Sequence, residues 1–179
     1  MIKGTVLLSH LAWLDETKGE HRVHLEPVLD DETFKVVRTV QSVTWLPFRT
    51  LVTIDKAIAS IVGEPPEEVF LELGRHSART NLGGLYKKFV PEDPHRFFVG
   101  VTLHNTFQDF GNISYTKLGD RAGRIELSDY PEYSPAFCAS GRGYYEQALQ
   151  VMKAPGPILV KESQCQCAGD RVCLYDIRW

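Results

Sequence analysis

Residues 111–130 read GNISYTKLGDRAGRIELSDY, and the reading of this stretch decides the fold. Upstream of it, apolar residues recur at helical spacing; from Gly111 onward the period falls to two. NISYTKL (112–118) and GRIELSDY (123–130) are short alternating segments, and GDRAG between them has the composition of a hairpin turn. Downstream, SPAFCASGRGYYEQALQVMKAPG (134–156) returns to helical spacing. Ser134 stands where an N-cap belongs, Pro135 occupies the first helical position, and Ala154-Pro155-Gly156 stops a helix predicted over 135–153. PILVKESQ (157–164) and VCLYDIRW (172–179) then form a second hairpin around CAGDR. The order after Gly111 is β-β-α-β-β.

Upstream, GTVLLSHLAWLDE (4–16) and WLPFRTLVTIDKAIASIVG (45–63) read as amphipathic core helices, the second with Pro47 at its start and Gly63 past its end. PPEEVFLELGRHSARTNLGGLYKKFV (65–90) opens with prolines and glutamates and reads as a helix interrupted near Gly83-Gly84; DPHRFFVGVTLHNTFQDF (93–110) reads as a further helix. Gly74 within GRHSA marks a close helix crossing. The predicted fold class is therefore α+β: N-terminal helices packed on an antiparallel sheet of two hairpins. With no repeat or linker in sight, a single domain spans 1–179, its mainly helical part being 1–110 and its β-β-α-β-β part 111–179.

The 179 residues carry a formal net charge of -3. With a pI near 6.1, the chain lacks the basic face that displaces counterions from phosphates, so no nucleic-acid partner is expected. The apolar run after Lys3 ends at Asp15 and Glu16, too short for a signal peptide, and no stretch is long enough for a membrane span. The expected location is cytoplasmic, where clustered cysteines stay reduced and bind metal more often than they form disulfides.

Three of the four cysteines, Cys165, Cys167 and Cys173, fall at the tip of the second hairpin, and Cys138 falls early in the preceding helix. Folding can join them around a metal, yet the spacing is not that of a CxxC pair, and cysteines also serve as small core hydrophobes. Both readings stand on spacing alone.

Glu162-x-x-Cys165-x7-Cys173, with the helical Cys138 upstream and AGD between, resembles the C-terminal signature of 4-vinyl reductase domains over roughly residues 95 to 179. The resemblance implies a structural zinc on Cys138, Glu162, Cys165 and Cys173, as in the phenol-sensing members of that family. Along its full length the chain also resembles a group of stand-alone bacterial proteins through KGTVLL, ELGRHSARTNL and the terminal C-x5-C-x5-W. The implied fold is shared with haem-based nitric-oxide sensors and vesicle-tethering subunits. No haem is expected, because haem needs an axial histidine in a defined pocket. Glu162 and Cys165 are three apart and face opposite sides of an ideal strand, so sharing a metal requires a bulge or a strand end between them. Cys167 is the reserve ligand.

The six histidines show no nucleophile-base spacing with any cysteine, and neither a GxGxxG nor a P-loop is present, so no enzyme activity is expected. The function expected is a regulatory or sensory module binding a small hydrophobic or aromatic ligand between the helix at 135–153 and the sheet, near His104, Phe107, Phe110 and Tyr145. Signalling would run through a homodimer or a protein partner. The alternative is an interaction scaffold, like the tethering subunits, with its interior filled by its own side chains.

Overall fold

The computed structural model describes residues 1–103, 107–130 and 132–179. Its elements run β1 (Ile2–Lys3), α1 (Gly4–Lys18), α2 (His21–Leu25), α3 (Asp31–Thr39), β2 (Trp45–Leu46), α4 (Phe48–Val62), α5 (Pro66–Thr80), α6 (Pro94–Leu103), β3 (Asn112–Gly119), β4 (Ala122–Ser128), α7 (Pro135–Val151), β5 (Leu159–Gln164) and β6 (Cys173–Arg178). The class is α+β, with antiparallel sheets of two and four strands.

Local chemistry accounts for the helix ends. Pro47 precedes α4, and Gly63 at φ 77 closes it in the left-handed region. Pro66 opens α5, with Glu67 and Glu68 in its first turn facing the positive end of the helix dipole. After α5 the chain passes through a π turn at Asn81–Leu85, where Gly84 leaves helical geometry. Ser134 does hold the N-cap position of α7 in extended backbone, but its hydroxyl makes no cap hydrogen bond. Its oxygen is buried without a partner. Trp45, just ahead of α4, is 40 % exposed, with the Lys3 ammonium over its ring. The two-residue strands β1 and β2 were not anticipated, and nor were the helices α2 and α3. These helices are mostly polar, and α3 buries only Phe34 and Val37, too sparse a stripe to stand out by periodicity.

The second sheet has the order β3-β4-β6-β5, so the two hairpins meet through β4 and β6. Alternation sends Ile125 and Leu127 of β4, and Cys173, Tyr175 and Ile177 of β6, to the buried face. That face packs with Tyr145, Ala148 and Leu149 of α7. On the other face Arg124 pairs with Asp176 at 2.7 Å, and this hydrogen-bonded guanidinium holds the Asp176 carboxyl below its usual range.

Helices α5 and α7 cross at glycines. A Cβ on Gly74 would lie 1.8 Å from the Ser140 carbonyl oxygen, and one on Gly143 would lie 2.2 Å from that of Leu71. The two backbones touch, as the sequence GRHSA suggested. Flanking the crossing, Arg75 bonds Glu146 at 2.8 Å and Arg142 bonds Glu67 at 2.7 Å. Phe110 and Phe137 pack against both the core of the helical half and the core beneath the sheet.

Candidate ligand cavity and metal centre

Cys138 lies one turn into α7, Cys173 opens β6, and Glu162 stands near the end of β5. The strand's register shifts between Glu162 and Gln164, and the strand ends there. This irregularity cancels the alternation that would have sent Glu162 and Cys165 to opposite faces. Cys165 then begins a short 3-10 turn, pinned by its backbone N–H donating to the Asp170 carboxylate at 2.8 Å. The result is convergence. One ligand atom from each of Cys138, Glu162, Cys165 and Cys173 lies within 4.8 Å of all the others. The Cys138 Sγ is 3.9 Å from that of Cys173 and 3.8 Å from that of Cys165.

The groups of this cluster are buried or half-buried and crowded. Burial, and then the neighbouring Cys173 and Glu162, push the Cys138 thiol far above its ordinary pKa. Burial likewise raises Cys173. Oε1 of Glu162 is buried with no hydrogen-bond partner. An ion among these groups reverses the balance, because it turns crowded thiols into bound thiolates and gives the orphaned oxygen a partner. Cys167, the reserve ligand, is exposed.

A cavity of about 710 Å³ lies beside α7. It is bounded by α1, the end of α5 with the π turn, the segment leading into α6, and α7, with the sheet contributing Ile113. Its place among the helices differs from the expected one between α7 and the sheet. The reason is packing: Tyr145 meets Tyr175 at 5.4 Å between ring centroids and Phe98 stacks on Tyr115 at 5.4 Å, which fills the sheet's buried face. Of the four residues expected to line a pocket, Phe107 and Tyr145 line this cavity. Phe110 packs on Phe48 and Tyr130 instead, at 5.1 and 5.2 Å. His104 lies outside the described residues.

The residue that sequence reasoning missed is His10. It lines the cavity from α1. It is 1 % exposed, and its Nδ1 is 2.7 Å from Oδ1 of the buried Asp55 on α4. A polar pair, Ser9-His10, inside the apolar run of α1 was the only signal, and its partner is 45 positions away.

No known family's sequence profile matches this chain, and no curated protein matches it in sequence. Solved structures do match. An H-NOX protein from S. oneidensis in the Fe(II)NO ligation state aligns with a TM-score of 0.74 at 16% identity, over 99% of this chain and 98% of that one. The Fe(II) unliganded H-NOX protein from K. algicida aligns with a TM-score of 0.74 at 11% identity, over 99% of this chain and 96% of that one. A structure probing haem distortion in the H-NOX family gives 0.68 at 16% identity, over 99% and 95%.

These matches correct the cofactor expectation. The group that the fold family implies is haem, not the structural zinc expected from the terminal motif. Haem iron sits at the centre of a broad flat macrocycle, so its axial nitrogen must stand clear of its surroundings. Among the described residues, the cavity's one histidine is His10, whose Nδ1 is held by Asp55. Its other ring nitrogen is buried without a partner. The described residues therefore do not fit haem ligation. Every described element finds its place in one architecture, which this chain shares with the H-NOX proteins along nearly its whole length.

Proposed function

We propose that the chain is a non-catalytic sensory module whose cavity takes a small hydrophobic or aromatic molecule directly. The observation that carries this is the cavity itself: about 710 Å³, walled largely by aromatic and aliphatic side chains with few polar groups, as in small-molecule sites generally. A fold whose solved examples include a ligand-binding state, Fe(II)NO, supports the sensory reading. An unfilled interior also favours it over the scaffold alternative. The cavity borders the π turn at Asn81–Leu85, which follows the end of α5. The cluster of Cys138, Glu162, Cys165 and Cys173 packs the ends of β5 and β6 against α7.

Native mass spectrometry of freshly purified protein, with an absorption spectrum of the same sample, tests the cavity reading. The expected result is a non-covalent small organic adduct and no haem absorption, even after incubation with haemin. Stoichiometric haem in either measurement contradicts it.

A further inference from the structure

We propose that His10, held by Asp55, is the cavity's recognition group: its Nε2 accepts a hydrogen bond from a hydroxyl or N–H on an otherwise apolar ligand. The inference rests on the cavity being a ligand site and adds the chemical class of the ligand.

Among the described residues, four buried side-chain polar atoms lack any partner: His10 Nε2, Ser134 Oγ, Glu162 Oε1 and Gln166 Oε1. Only His10 belongs to a residue that lines the cavity. The polar groups beside it are already engaged. Ser77 bonds Ser9, and the Asn81 side-chain oxygen accepts from Thr5. A buried nitrogen without a partner is costly, and native structures retain such a group where a ligand or ordered water completes it.

Asp55 fixes what that ligand must be. A carboxylate can only accept, so at 2.7 Å it takes the proton of Nδ1. In a ring protonated at Nδ1 alone, Nε2 carries a bare lone pair and is an acceptor. Asp55 is thus a positioning residue, and His10 the group that touches ligand.

Matched probes separate the donor from the apolar body: phenol against anisole, indole against N-methylindole, and naphthol against methoxynaphthalene. Calorimetric titration of each into the full chain is expected to show the donor form binding about tenfold tighter than its methylated partner. In His10→Leu the two forms should bind alike, with the methylated form unchanged. Because His10→Leu leaves a buried carboxylate unpaired, His10→Leu/Asp55→Leu provides a second variant in which the whole pair becomes apolar. Equal binding of both forms by the wild type overturns the role of His10 and leaves the cavity reading standing. No binding of any probe overturns the cavity reading, and the recognition role with it. Donor preference that survives in both variants also overturns the role of His10.

Discussion

Replacing Cys173 with serine is expected to lower unfolding free energy by about 2 kcal/mol, the cost of burying a hydroxyl where a packed thiol stood. Cys173 is 1 % exposed and its sulfur stands 3.9 Å from that of Cys138. It also receives the Gln166 backbone N–H at 3.3 Å. Serine is smaller and more polar than the thiol, so it loses the packing against Cys138 and buries a hydroxyl in its place. Cys167→Ser, at an exposed position outside the cluster, should change stability by about 0.5 kcal/mol or less. Denaturant unfolding in the presence of reductant measures both. Equal midpoints for the two variants would mean that Cys173 is not packed as the structure has it.

The second large effect lies at the α5–α7 crossing. Gly74→Ala places a methyl group 1.8 Å from a backbone carbonyl oxygen, which no rotamer change relieves. The two helices must separate, breaking the fit that also aligns Arg75 with Glu146. A loss of about 3 kcal/mol is expected. Gly83→Ala is the control, because a Cβ there meets nothing within 4 Å. It should be neutral or raise stability by about 0.5 kcal/mol through the unfolded chain. Urea unfolding of the pair decides the matter, and similar midpoints would mean that the crossing is not as tight as the structure has it.

These two positions were legible in the sequence for different reasons. The cysteine cluster is local: Glu162, Cys165 and Cys173 share one hairpin, and one helix supplies Cys138, so spacing and topology nearly suffice. What spacing lacked was the bulge after Glu162, a one-residue irregularity in backbone register. Gly74 was legible because a glycine inside a strongly amphipathic helix needs a packing reason. The fold class followed from the change of period at Gly111, where alternation in 112–118 and 123–130 marks strands. His10 and Asp55 were not legible. Their significance comes from a contact between α1 and α4 and from the void beside it, and neither has a sequence signature. The expected pocket was likewise misplaced because ring packing, which decides whether Phe110 or Tyr145 faces a void, depends on tertiary neighbours that periodicity does not name.

The most direct measurement is a crystallographic soak with bromonaphthol, read by the anomalous signal of bromine. The account predicts a single strong peak inside the cavity between Phe107 and Tyr145, with the naphthol hydroxyl within hydrogen-bond distance of His10 Nε2. Bromine found only on the protein surface, with the cavity filled by the chain's own side chains, would contradict it.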